Sequence, residues 1–148
     1  MDKSSLGDRI KSYEAVEDRR IMPRLPVIVR LDGRSFSKFT KGMKRPFDDD
    51  FRQAMINTTK HLVKEANAKI GYTQSDEITL VLYNDNYKNG QLLFDARVQK
   101  ICSIFASMAS TYFLTEVIKR WPEKIEEGGL PSFDCRVFAV PDKMEAYN

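Results

Sequence analysis

Near its N-terminus the chain reads Val27-Ile28-Val29-Arg30-Leu31-Asp32-Gly33, a short β-branched run that stops at a turn signal. β-branched residues favour strands, and the Asp-Gly pair favours a sharp turn. The run therefore predicts a first strand that ends at Asp32-Gly33, and a basic loop follows it.

Helix and strand patterns alternate downstream of this strand. Apolar positions recur at helical spacing from Phe51 to Ala66 and again from Phe94 to Tyr112. Strand-like segments occupy residues 70–73, 78–83 and 133–140. With a leading helix over residues 5–19, the order is β-α-β-β-α-β after one helix. This order predicts an α+β, ferredoxin-like fold, in which both main helices lie on one face of a four-stranded antiparallel sheet.

The composition is that of one folded domain. The 148 residues are 42% hydrophobic and 11% aromatic, which predicts a packed core and excludes general disorder. Apolar runs are short and the N-terminus has no apolar signal segment, so we expect neither a transmembrane helix nor a membrane partner. Cys102 and Cys135 match no disulfide framework or zinc pattern, and the single histidine, His61, excludes a His-rich metal site. We therefore expect one reduced, cytoplasmic domain over residues 1–148.

The positive charge is unevenly distributed. The formal net charge is +3, but the first 60 residues are net positive and the remainder is net negative. Such clustering suits a polyanionic partner, either RNA or a triphosphate, although an ordinary solvated surface gives the same pattern.

Two acidic positions are predicted to meet on the sheet. Asp32 ends the first strand, and Asp76-Glu77 leads into the third strand, its central neighbour in a ferredoxin-like sheet. Mg²⁺ binds one or two carboxylates together with substrate phosphates, and a pair of such ions can promote phosphoryl transfer. Each position alone also fits an ordinary turn, so the prediction depends on their joint placement.

Cations for a triphosphate are available in two places. Arg97 and Lys100 are three residues apart at the start of the second long helix, and Lys44 and Arg45 lie in the loop after the first strand. Gly33 leaves the backbone beside Asp32 open to a metal or a phosphate. We expect the two cysteines to be small core residues.

Three motifs carry a family resemblance. They are Arg30-Leu31-Asp32-Gly33-Arg34-Ser35-Phe36, Tyr72-Thr73-Gln74-Ser75-Asp76-Glu77 and Phe133-Asp134-Cys135-Arg136-Val137. Together with the segment from Phe94 to Ser110, they resemble the tRNA(His) guanylyltransferase family, most closely its "-like" branch of 3′-5′ polymerases. The resemblance covers nearly the whole chain.

The resemblance implies a polymerase-type palm with two Mg²⁺ ions. Asp32 and Asp76 would hold both ions, the Gly33 carbonyl would complete one site, and Glu77 belongs to the catalytic motif. The implied nucleotide-binding residues are Asp32, Gly33, Arg34, Ser35, Phe36, Ser37, Arg45, Ser75, Asp76, Arg97 and Lys100.

The same resemblance implies a reaction and partners. Family members add GTP-derived nucleotides to the 5′ end of tRNA, after ATP has adenylylated a 5′-monophosphate, and they are usually tetramers. A 5′-triphosphorylated end skips the activation, and the "-like" branch repairs truncated tRNA 5′ ends against a template. The sequence leaves addition to tRNA(His) and general 5′-end repair both open.

Family members also continue beyond the last predicted strand, so we expect this chain to be shorter than its relatives at the C-terminus. Two alternative functions stay open at this point. A non-catalytic RNA-binding module shares the β-α-β-β-α-β order, but its stacking aromatics are missing from the two central strands. A diguanylate-cyclase-like palm would need a GGDEF-like turn, where this chain has Gln74-Ser75-Asp76-Glu77.

Overall fold

The computed structural model describes residues 3–45, 48–83 and 93–147, and all structural statements refer to these residues. The four strands are β1 (Val27–Gly33), β2 (Ile70–Gln74), β3 (Glu77–Leu82) and β4 (Phe133–Ala139). The α-helices are α1 (Lys3–Glu17), α2 (Phe36–Phe39), α3 (Asp49–Ala66), α4 (Val98–Arg120), α5 (Pro122–Glu126) and α6 (Lys143–Tyr147). A 3₁₀ turn at Leu93–Ala96 precedes α4.

The strands form one antiparallel sheet in the order β2-β3-β1-β4. This is the ferredoxin-like order, so the predicted fold is confirmed. The register sets Val29 opposite both Leu80 of β3 and Val137 of β4. Because side chains alternate along a strand, each cross-strand row faces one side of the sheet as a unit.

One face of the sheet forms the core with α3 and α4. Alternate residues of the central strands are buried there: Val27, Val29, Leu31, Ile78, Leu80 and Leu82. From the helices come Met55 and Leu62 of α3 and Phe105 and Phe113 of α4. The opposite side of the sheet, called the open face below, carries the alternate rows.

A buried polar network joins α3 to α4. The Glu116 carboxylate, 4% exposed, accepts hydrogen bonds from Asn57 Nδ2 and from Arg120 Nε, both at 2.9 Å. Arg120 Nη1 also donates to Asp50 at 2.9 Å. A buried carboxylate is tolerated when its oxygens are paired in this way, so the network fixes how the two helices pack.

The helix α4 differs from expectation in two ways. It begins at Val98 rather than at Phe94, because Phe94, Asp95 and Ala96 have left-handed backbone angles. Within the described ranges it is also long and apolar enough to span a membrane, with a mean hydropathy of 1.5, although no such helix was expected. One side of α4 is buried in the core, at Ile101, Phe105, Ala109, Phe113 and Val117.

The helix α1 confirms the predicted N-terminal helix but contributes little to the core. Its apolar side chains Leu6, Ile10, Tyr13 and Val16 are 58%, 46%, 67% and 79% exposed. The described backbone hydrogen bonds to the rest of the domain are made by the segment that follows the helix. The Val98 N–H donates to the Arg19 carbonyl, and the Ile21 N–H donates to the Ala96 carbonyl.

Candidate active site

The two predicted acidic positions meet at one end of the sheet. Asp32 lies directly opposite Glu77 of β3, and Asp76 sits in the turn between β2 and β3. The backbone N–H of Gly33 donates to the Asp76 carbonyl at 3.0 Å, which joins the end of β1 to this turn. The joint placement expected from the sequence is therefore observed.

A fourth carboxylate, to which the sequence pattern gives no role, joins Asp32, Asp76 and Glu77 in a group called the acidic corner below. Asp134 of β4 is the cross-strand partner of Asp32 on its other side. Glu77, Asp32 and Asp134 thus form one row across three strands of the open face. Like charges directly opposite each other are unfavourable in a sheet, so the row concentrates negative charge at this end of the open face.

The pKa of Asp76 reflects this crowding of carboxylates. Burial, and next the negative charge of Asp32, raise the pKa of the Asp76 carboxyl above its ordinary value. Glu77 and Asp134 add to the effect. Glu77 is the one of these carboxylates with a described ion pair, to Arg30 Nη2 at 3.2 Å. The Asp76 charge is therefore left without a described counter-cation.

A cleft of about 950 Å³ opens beside Asp76. Its walls come from α2 and the loop that follows it, from the first turns of α3, and from the end of β2 with its turn. The lining residues are Phe36, Ser37, Thr40, Met43, Lys44, Arg45, Asp48, Phe51, Arg52, Met55, Thr73, Gln74, Ser75 and Asp76. Three cations and an aromatic floor next to a carboxylate suit a ligand with phosphates and a flat apolar ring.

The loop between β1 and the cleft explains why residue 33 is glycine. A Cβ on Gly33 would lie 2.5–2.7 Å from ring carbons of Phe36. Phe36 begins α2 and is 3% exposed, in contact with the rings of Phe51, Phe113 and Phe133. The absent side chain therefore lets the chain turn from the carboxylate at Asp32 directly into the cleft wall.

The predicted nucleotide-binding residues are not all in one place. Phe36, Ser37, Arg45, Ser75 and Asp76 line the cleft. Asp32 and Gly33 adjoin it through the hydrogen bond to the Asp76 turn. Arg34 and Ser35 are exposed in the turn that links β1 to α2, and Ser35 has a left-handed backbone with φ 56°.

Arg97 and Lys100, in contrast, lie at the opposite end of the sheet. Ser110 of α4 accepts a hydrogen bond from the N–H of Phe133, which is the partner of Gly33. At a rise of about 1.5 Å per residue, Arg97 is roughly 20 Å back along the helix axis from that point. It pairs there with Asp18 at 3.4 Å, and Lys100 lies 5.3 Å from the centre of the Phe94 ring. The structure thus does not bring this pair to the cleft, and Lys44, Arg45 and Arg52 are the cations that line it together with Asp76.

The fold and the acidic corner first define a class, a palm-type α+β domain. Similarity to known proteins then gives the family: the family model described as tRNAHis guanylyltransferase matches residues 7–141. The chain belongs to this family.

Solved structures show the same likeness. A bacterial tRNA(His) guanylyltransferase-like protein in complex with GTP superposes with a TM-score of 0.87 and 39% identity, over 93% of this chain and 64% of that one. A bacterial structure of the same description in complex with ATP gives the same TM-score and identity, over 93% of this chain and 60% of that one. The tRNA(His) guanylyltransferase of Saccharomyces cerevisiae gives 0.74 and 29%, over 87% and 56%.

Curated relatives extend beyond the match. An uncharacterized protein of Acanthamoeba polyphaga mimivirus is 37% identical over 97% of this chain and 55% of its own length. The tRNA(His) guanylyltransferase of Debaryomyces hansenii is 32% identical over 89% of this chain and 49% of its own length. The chain spans about half the length of the curated relatives it matches.

Proposed function

We propose that this chain is the catalytic palm of a metal-dependent nucleotidyltransferase that adds GTP-derived nucleotides to tRNA 5′ ends in the 3′-5′ direction. One observation carries the proposal: Asp32 and Asp76 meet, through the Gly33–Asp76 hydrogen bond, at the mouth of a cleft lined by cations. Family membership supports the reaction class.

The acidic corner fits Mg²⁺. No group of three or more His, Cys, Asp or Glu side chains is arranged around one point in the described ranges, but Mg²⁺ needs only one or two carboxylates when phosphates and water supply the rest. Asp32 and Asp76 would supply the carboxylate oxygens and the Gly33 carbonyl a further one, with two ions as the expected number. When bound, such ions would neutralise phosphate charge and lower the pKa of an attacking hydroxyl.

The protein's own residues would bind and orient the nucleotide. The Phe36 and Phe51 rings and Met55 form an apolar floor for a base, and Ser37 and Ser75 offer hydroxyl groups at its edge. Lys44, Arg45 and Arg52 would hold the triphosphate, because charge-assisted contacts to phosphate are among the strongest hydrogen bonds. This arrangement suits GTP or ATP.

In the proposed reaction, the 3′-hydroxyl oxygen of the bound nucleotide attacks the phosphorus that is bonded to the 5′-oxygen of the RNA, and the hydroxyl proton is lost to solvent. A new phosphodiester bond forms, and AMP leaves an adenylylated end or pyrophosphate leaves a triphosphorylated end. Asp32 and Asp76, with Glu77 beside them, would supply the negative charge that keeps the metal ions next to the reacting groups. Arg97 and Lys100 remain predicted contacts of a triphosphate, although they lie at the end of the sheet away from the cleft.

The open face offers a surface for RNA. Tyr72 on β2 is 58% exposed and Phe138 on β4 is 40% exposed. Arg30 on β1 lies between these two strands and is the cross-strand partner of Arg136 on β4. Exposed aromatic rings on this face of a ferredoxin-like sheet can stack bases. The aromatics missing from the central strands are thus present on the neighbouring ones, which supports tRNA as the partner. A homo-oligomer and a cytoplasmic location without a membrane partner remain part of the proposal.

The test is incorporation of labelled GTP into a tRNA that lacks its first nucleotide and carries a 5′-triphosphate. We expect Mg²⁺-dependent incorporation that Asp32→Ala and Asp76→Ala abolish, while circular dichroism stays native. Asp49→Ala removes an exposed carboxylate outside the cleft and is the matched control. Undiminished incorporation by either corner variant would refute the assignment of the site.

A further inference from the structure

The carboxylate of Asp48 makes two backbone hydrogen bonds in different directions. Its Oδ1 accepts the N–H of Phe51 at 2.9 Å, and this caps the N-terminus of α3. Its Oδ2 accepts the N–H of Lys44 at 3.2 Å. One side chain thus joins a core helix to the loop that precedes it.

That loop carries two of the cations of the cleft. Residues 41–45, the basic loop, turn at Gly42 with φ +91°, and Lys44 and Arg45 line the cleft. Within the described ranges, the hydrogen bonds of the loop are from Lys41 N–H to Lys38, from Met43 N–H to Thr40 and from Lys44 N–H to Asp48. The bond to Asp48 is therefore the one that ties the loop to α3.

A carboxylate can make both contacts, whereas an asparagine cannot. The oxygen of an asparagine side chain still caps α3, because a single acceptor suffices for the Phe51 N–H. Its other atom is then an amide nitrogen, which would present hydrogens to the N–H of Lys44. Helix capping alone does not explain why both oxygens are occupied. The hydrogen bond from Phe51, and to a lesser degree that from Lys44, lowers the pKa of the Asp48 carboxyl, against a burial effect that raises it.

We propose that Asp48 is a positioning residue for nucleotide binding, which holds the basic loop so that Arg45 faces the phosphates of a triphosphate in the cleft. The inference rests on the proposed function, since it assumes that the cleft binds a nucleoside triphosphate. Asp48 also lines the cleft, but the role proposed for it is to act through the loop.

The test compares Asp48→Asn with Asp49→Asn in the full chain. Both changes remove one negative charge from the same helix terminus, but Asp49 is 94% exposed and its described partner is Arg52 at 3.7 Å, a weak surface pair. Binding of Mg²⁺-GTP is titrated calorimetrically, and backbone hydrogen exchange is followed at Lys44 and in α3. We expect Asp48→Asn to raise the GTP dissociation constant about three- to tenfold, as for the loss of one hydrogen bond. Exchange at the Lys44 N–H should become faster while α3 stays protected, and Asp49→Asn should match the wild type.

Arg45→Ala decides whether Asp48 acts through the loop. If it does, the double variant should bind GTP with nearly the same dissociation constant as Arg45→Ala alone. If the two effects are independent, the fold-changes of the two single variants should multiply in the double variant. Independent effects, or a GTP affinity that Asp48→Asn leaves unchanged, would overturn this inference alone. Failure of the wild-type chain to bind GTP would overturn the proposed function as well.

Discussion

Substituting Gly33 by alanine tests the link between the carboxylate strand and the cleft wall. A Cβ there would lie 2.5 Å from Cγ and 2.6 Å and 2.7 Å from the two Cδ atoms of Phe36. Ordinary contact between carbon atoms needs about 3.5–4.0 Å, so the ring must move by roughly 1 Å. The ring has little room, because Phe39, Phe51, Phe113 and Phe133 surround it at centroid distances of 5.1–6.1 Å.

The expected cost follows from this packing. Overpacking a dense core by a methyl group costs about 1–3 kcal/mol, which for a chain of this size lowers Tm by roughly 2–12 °C. The same displacement moves Asp32 relative to the Asp76 turn, because the Gly33 N–H holds the Asp76 carbonyl. Weaker Mg²⁺-GTP binding should therefore accompany the loss of stability.

Differential scanning calorimetry of Gly33→Ala and Gly7→Ala makes the comparison. Gly7 lies in α1, and nothing is within 4 Å of a Cβ placed there, so alanine should leave Tm unchanged or raise it slightly through helix propensity. A second variant, Gly33→Ala with Phe36→Leu, should cost less than the sum of its parts because the clash is shared. Equal Tm values for Gly33→Ala and Gly7→Ala would show that the Phe36 ring accommodates a Cβ at residue 33 without cost.

Three further predictions concern stability. Asp76→Asn should raise Tm without Mg²⁺, because the raised pKa of Asp76 means that its charged form destabilises the fold. The gain in Tm should be small below pH 3.8 and should grow as the pH rises through the range in which carboxylates ionise. A gain that is constant with pH would contradict this explanation. Glu116→Gln should lower the free energy of unfolding by about 1–3 kcal/mol in urea titrations, since an amide group would then face Asn57 or Arg120, and an unchanged midpoint would show that the network contributes nothing. Lys124→Met should lower Tm by removing the 2.7 Å bond from Nζ to the Phe39 carbonyl at the end of α2, whereas Lys124→Arg should retain part of the stability; equal losses would argue against the hydrogen bond.

Much of the fold could be predicted because it is encoded locally. The apolar runs Val27–Leu31 and Ile78–Leu82 mark the two central strands, and Asp48 marks the start of α3. The short helix α2 could not be predicted in this way. It depends on the left-handed backbone of Ser35 and on contacts of the Phe36 ring with distant parts of the chain.

The candidate site was predictable where strand order alone places a residue. Asp32 and Asp76 meet because β1 and β3 are central neighbours, but Asp134 required the observed register of β4. Sequence spacing alone did not show how far Arg97 and Lys100 lie from Asp76. Since β3 runs away from Asp76, the helix that follows it begins at the far end of the sheet. The tether from Asp48 to Lys44 depends on one backbone N–H, which no residue pattern reveals.

Binding of a metal-bound nucleotide in the cleft at Asp32 and Asp76 is the core of the proposed function. It is tested most directly by crystallography of the chain with Mn²⁺ and a non-hydrolysable GTP analogue, since Mn²⁺ gives an anomalous signal. We expect anomalous peaks in contact with the Asp32 and Asp76 carboxylates, with the triphosphate beside Arg45. A nucleotide bound elsewhere, or no anomalous peak at these two carboxylates, would contradict it.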